Sequence, residues 1–129
     1  MRVLLLIPAL AILGYCKDET VTGHGGAEGI WHLATIDDVP FNAGVRLWFP
    51  EEGTIAGETP CNRFTARQTA PYPWFHAEAI TVGDSACPQL EAEALFLGAL
   101  DDMTLVEVIG PVMILSTETG REMVFRTGE

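Results

Sequence analysis

Cysteine, histidine and an Asn-Arg pair beside one cysteine are the residue types here that could do chemistry. Cys61, Asn62 and Arg63 stand together in Thr59-Pro60-Cys61-Asn62-Arg63-Phe64, and a second cysteine lies in Ala86-Cys87-Pro88. A reduced Cys61 with His32 or His76 as base would be a thiol nucleophile, since the thiolate is the reactive form. A zinc site would want Cys or His pairs at close spacing, such as C-x2-C or H-x3-H. Neither pair occurs, and His32 and His76 are isolated in alternating, strand-like contexts. The remaining chemistry is a disulfide, which an exported chain favours because no glutathione pool keeps its thiols reduced. We expect Cys61 to pair with Cys87, a bond worth roughly 3–4 kcal/mol by loop-closure arithmetic. The nucleophile and metal readings stay open as alternatives.

The N-terminus supplies the argument for export. Arg2 precedes an apolar run, Val3–Leu13, that is too short to span a bilayer and fits the h-region of a secretory signal. Leu13-Gly14-Tyr15-Cys16 resembles a bacterial lipobox, whose Cys becomes the lipid-bearing first residue of the mature chain; Tyr15 stands where a small residue is usual. Residues 1–16 are therefore expected to be a lipoprotein signal peptide, with Cys16 lipidated and holding the domain to a membrane. Residues 17–28, KDETVTGHGGAE, are polar and glycine-rich and are expected to form a flexible tether. His24 within it is a weak metal signal on its own. Lys17 does not resemble the acidic retention signal of inner-membrane lipoproteins. The expected location is thus the cell envelope, on the outer membrane and facing the periplasm.

Composition narrows the partners. Acidic residues number 18 against 7 basic ones, a formal net charge of -11. Such a surface repels phosphate backbones, and no basic patch is visible, so nucleic acid is not an expected partner. No cofactor is expected, and the chain is expected to be a monomer meeting an unidentified envelope protein or ligand. At 48% hydrophobic residues the chain can build a core, and its 129 residues suit one domain.

The elements that would position these residues are mostly short strands. Residues 30–36 alternate Trp31, Leu33 and Thr35 against Ile30, His32, Ala34 and Ile36, before Asp37-Asp38-Val39-Pro40 breaks the pattern. Residues 45–58 read as a hairpin, with Val45, Leu47 and Phe49 on one face and Gly53 in the turn. NRFTARQ and FHAEAITV are two further strands, separated by a loop, TAPYPW, whose prolines forbid a central strand. Three C-terminal strands are TLVEVI, VMILST and REMVFR. One helix is expected from about Pro88 to Met103. Ala92, Leu95, Phe96, Ala99, Leu100 and Met103 would be its buried stripe, and Glu91 and Glu93 lie near its positive end. The expected fold class is α+β, a small β-rich domain in which a curved antiparallel sheet of about eight strands packs on one α-helix.

These marks together resemble one family. Trp31-His32-Leu33 opens the domain, Gly57-x-x-x-Cys61-Asn62-x-Phe64 follows a strand, and Ala86-Cys87-Pro88 precedes a helix with Glu93 and Phe96. Met123-Val124-Phe125 lies in the final strand. The pattern, over residues 29–127, resembles the META domain family, also called HslJ-like after a heat-shock-associated envelope protein. The family usually has Gly where Pro60 stands, and often Thr where this chain has Gly83-Asp84-Ser85. The resemblance implies a β-rich domain with one helix, an envelope location, and links to stress tolerance or virulence without a defined reaction. It implies no catalytic residue.

Three functions are therefore carried forward. The first is a non-catalytic envelope lipoprotein domain that binds a partner or supports stress tolerance. The second is a periplasmic protease-inhibitor-like or small-ligand-binding module. The third is a thiol enzyme using Cys61. The expected binding surface is Asn62 and Arg63 at the Cys-Asn loop, with Tyr72 and Trp74 of TAPYPW as rigid aromatic anchors. The structural alternatives are Asn62 bonding backbone at a strand end, Arg63 pairing with a carboxylate, and the aromatics packing over one end of the sheet.

Overall fold

The structure is a computed structural model, which describes residues 17–27 and 29–128. The expected signal peptide 1–16 and the expected lipidation of Cys16 lie outside the described residues. Nine antiparallel strands form one curved sheet: β1 (Trp31–Ile36), β2 (Val39–Pro40), β3 (Arg46–Glu51), β4 (Thr54–Glu58), β5 (Arg63–Arg67), β6 (Glu78–Val82), β7 (Leu105–Ile109), β8 (Val112–Ser116) and β9 (Glu122–Arg126). The order across the sheet is β6-β5-β4-β3-β1-β9-β8-β7, with the two-residue β2 paired to β1. One helix, α1 (Leu90–Asp102), links the strands at the two ends of that order. This is the expected α+β class with one strand more than expected. The break at Asp37-Asp38 is a two-residue hairpin turn: Ile36 pairs with Val39, and both aspartates have positive φ.

Period-2 burial makes the strands. Leu47 and Phe49 of β3, Phe64 and Ala66 of β5, and Met123 and Phe125 of β9 point into one apolar core, as does Val45 just ahead of β3. Gly53, at φ 87°, turns β3 into β4 as expected. Gly57 is needed for a different reason. It pairs with Phe64, and a Cβ built on it would lie 2.4 Å from the Phe64 ring and 2.7 Å from the Arg46 carbonyl oxygen. Only a bare backbone lets that ring lie across β4. The ring then meets Phe96 of α1 edge-on, with centroids 5.5 Å apart.

The helix differs from its expected face and start. It begins at Leu90, so Pro88 precedes it. Phe96, Ala99, Leu100 and Met103 are buried as expected, but Leu95 is 66% exposed, Ala92 only half-buried, and Glu93 is 4% exposed. The buried stripe is rotated toward Glu93. The reason is polar: the hydrogen-bond donors that satisfy this carboxylate lie inside, as described below.

The expected tether is also corrected. Residues 17–27 are seated on the domain. Asp18 accepts hydrogen bonds from the Thr20 N–H (2.8 Å) and hydroxyl (2.5 Å) and from the Thr22 hydroxyl, and so ties down the start of a 3-10 turn at Val21–His24. These bonds outweigh burial and hold the Asp18 carboxyl below its usual pKa. Val21 is 1% exposed, and the Trp31 indole donates to the Gly26 carbonyl at 2.9 Å. A glycine-rich sequence can still dock when one apolar residue finds a core and its carbonyls find donors.

Candidate functional site

The Cys-Asn segment is assembled by β5, the loop after β6 and the first turn of α1. Cys61 and Cys87 form a disulfide, with Cα atoms 5.5 Å apart, inside the range that a bridge can span. The bond places the approach to β5 against the approach to α1. No thiol remains at Cys61 in this state; of the two histidines expected as a base, His76 meets Glu78 with its ring and His32 stands in β1.

Glu93 is the hub. One of its carboxylate oxygens accepts from the Thr59 hydroxyl and from the Cys61 N–H at 3.0 Å; the other accepts from the Asn62 side-chain amide at 2.8 Å. Burial by itself disfavours the charged carboxylate. The hydrogen bonds from Thr59, Asn62 and Cys61 outweigh it, and the pKa lies below its ordinary 4.5. The helix N-terminus favours the same charge.

Asn62 has no polar group left over. Its amide nitrogen also donates to the Ser85 carbonyl at 3.0 Å, and its oxygen accepts the Ser85 N–H at 2.8 Å. The side chain thus pairs with Ser85 as a neighbouring strand would. Gly83 makes room for it: a Cβ there would lie 2.6 Å from the Asn62 side-chain oxygen. Arg63 projects into solvent and meets Glu58 at 3.5 Å, while Arg46 holds Glu58 more closely at 2.7 Å. Both are surface pairs of small energetic value.

The four residues expected as a binding surface do not converge. Asn62 and Arg63 stand at the start of β5, Tyr72 and Trp74 beyond its end. The loop that carries the aromatics crosses to β7, the far edge of the sheet. Trp74 bridges Leu105, the Phe75 N–H donates to the Thr104 carbonyl at 2.9 Å, and the Val106 N–H donates to the Pro73 carbonyl at 2.8 Å. Tyr72 is half-buried: its hydroxyl accepts the Val108 N–H at 3.0 Å and its ring meets His24 edge-on at 4.3 Å. Trp74 remains 49% exposed. The loop is pinned from within by Gln68, whose side chain accepts the His76 N–H at 2.8 Å and donates to the Ala70 carbonyl at 3.0 Å. Sequence reasoning missed Gln68; a polar residue continuing the inward alternation of Phe64 and Ala66 was its one signal.

An apolar groove of about 400 Å³ also escaped the sequence. Ile36, Val39, Pro40 and Phe41 of the β1–β2 hairpin face Ala92 and Leu95 of α1 across it. Val39 and Leu95 are its exposed large apolar walls. Arg121 stands at one end, bonded to Asp37 at 2.9 Å and Asp102 at 2.8 Å. Those two carboxylates raise its pKa further and leave it little free charge. Volume and lining are those of a small-molecule or side-chain site. Among the described residues no group of three His, Cys, Asp or Glu is placed to hold a metal ion. No helix among them is long and apolar enough to cross a membrane.

Comparison with solved structures agrees on the fold. A DUF4847 family protein from Bacteroides vulgatus superposes with a TM-score of 0.66 at 14% identity, over 84% of this chain and 97% of that one. A protein from Burkholderia xenovorans, solved by NMR, superposes with a TM-score of 0.61 at 19% identity, over 100% of this chain and 94% of that one. No curated protein matches the sequence. The META domain family model matches residues 24–129, beginning in the seated segment and running through every strand and the helix. With its paired cysteines, the Asn62–Glu93 lock and the Gly57–Phe64 contact in one continuous match, the chain belongs to the META domain family.

Proposed function

We propose that this chain is a lipid-anchored, non-catalytic binding module of the cell envelope, HslJ-like in supporting stress tolerance, held through Cys16 and monomeric. The observation that carries it is how the reactive-looking residues are used. Cys61, Asn62 and Glu93 spend their bonding capacity on each other, on Cys87 and on the backbone, so the most distinctive segment works as a lock between sheet and helix. What the surface offers instead is the apolar groove between the β1–β2 hairpin and α1. An exposed leucine opposite an exposed valine makes an apolar patch of the kind that marks a contact with a partner protein.

The volume of that groove supports a second reading, capture of a small apolar ligand. One experiment separates them. Photo-crosslinkers at Leu95 and Val39, in cells, should give one dominant protein adduct under the first reading. A small-molecule adduct recovered by mass spectrometry would favour the second. No adduct at either position, under unstressed or heat-stressed growth, would remove the groove from the proposal. An outer-membrane position is tested by fractionating the lipidated chain.

A further inference from the structure

We infer that the Ala70–Trp74 loop is a membrane contact, lying in the headgroup layer of the bilayer to which Cys16 is anchored. The inference rests on the lipid-anchor reading and adds a surface to it.

Three observations carry it. First, the segment after Cys16 is not slack. Asp18 accepts the Thr20 N–H at the start of the 3-10 turn, Val21 is buried, and the Tyr72 N–H donates to the Glu19 carbonyl at 2.7 Å. A lipid on Cys16 is therefore separated from the folded body by Lys17 alone. Second, the body at that point is this loop: Lys17, Asp18, Glu19 and Tyr72 line one shared surface cavity. Third, the loop differs in chemistry from the rest of the surface. Between Arg67 and His76 the chain carries no charged side chain, although it holds 18 acidic residues in all. Pro71, Pro73 and Trp74 are exposed there, and Tyr72 is half-exposed. Trp and Tyr favour the bilayer interface, where an apolar ring and a polar edge are both satisfied. Gln68, Phe75 and the bridge to Leu105 hold the loop rigid, so inserting it costs little ordering entropy.

The test uses the lipidated chain purified from membranes and placed in zwitterionic phosphatidylcholine vesicles, since a net charge of -11 would oppose anionic lipid. Trp31 is buried and Trp48 half-buried, so Trp74 dominates solvent-accessible emission. Bromine-labelled acyl chains should quench this emission, and iodide should quench it several-fold less than in the Cys16→Ser chain. Trp74→Phe should remove the bromolipid quenching. A long Gly/Ser linker inserted between Lys17 and Asp18, ahead of the hydrogen bonds that Asp18 accepts, should restore iodide access. If Trp74 of the lipidated chain is as open to iodide as in Cys16→Ser, or if the linker changes nothing, the inference fails while the anchor stands. If mass spectrometry finds Cys16 unmodified, anchor and inference fall together.

Discussion

Glu93 of α1 and Asn62 at the start of β5 sit 2.8 Å apart, carboxylate oxygen to amide nitrogen, across a separation of 31 residues. This contact and the neighbouring disulfide fasten helix to sheet at the same place, one by charge and one by covalency.

Glu93→Gln should destabilise the domain at neutral pH by about 1–3 kcal/mol, because an amide in place of the carboxylate sets its own donors against those of Thr59 or Asn62. The folded Glu93 pKa lies below 4.5, so its contribution is fully present above the ordinary carboxylate range. It is lost as pH falls from about 4.5 through the depressed folded value, where the unfolded chain binds the proton first. Urea melts of both proteins across this range should show the wild type losing stability toward acid faster than the variant. Parallel pH profiles would refute the assignment.

Replacing Cys61 and Cys87 together by Ser should lower stability by roughly 2–4 kcal/mol. The Glu93 bonds to Thr59, Asn62 and the Cys61 backbone need no sulfur, so the fold should persist by circular dichroism. Thiol titration of the unfolded, unreduced wild type should find neither sulfhydryl free.

Leu100→Ala should cost about 2–5 kcal/mol, since its side chain is fully enclosed. Leu95→Ala should stay within about 0.5 kcal/mol of wild type, the scale of a surface change. Near-equal losses in thermal denaturation would mean that the helix presents a different face to the sheet.

Gly57→Ala should destabilise by about 1–3 kcal/mol through overpacking against the Phe64 ring and the Arg46 carbonyl. Gly98→Ala is the control: nothing lies within 4 Å of its added methyl, and the helix should gain up to about 1 kcal/mol in propensity. Chemical denaturation of the two variants should move in opposite directions.

Local pattern alone determined most of the strands, the existence of the helix and the Gly53 turn, but not β2 or the turn at Val21–His24. Alternation exposed Val45, Leu47 and Phe49 as one inward face, and Gly53 as a turn residue, because side chains alternate between the two faces of any strand. Cysteine count and the expected export signal made the Cys61–Cys87 pair legible, because redox compartment is a property of the whole chain. Tertiary structure decided what depends on distant partners. Leu95 lies on the same 3.6-residue period as Phe96, Ala99 and Leu100, and periodicity gives a stripe without its exact centre. The donors of Thr59, Cys61 and Asn62 drew Glu93 inward and turned Leu95 out. The curl of the sheet brought the Tyr72–Trp74 loop to β7, away from Asn62 and Arg63, and gave Val21 a core to enter. A polar, glycine-rich stretch reads as slack until the surface that accepts its one valine exists.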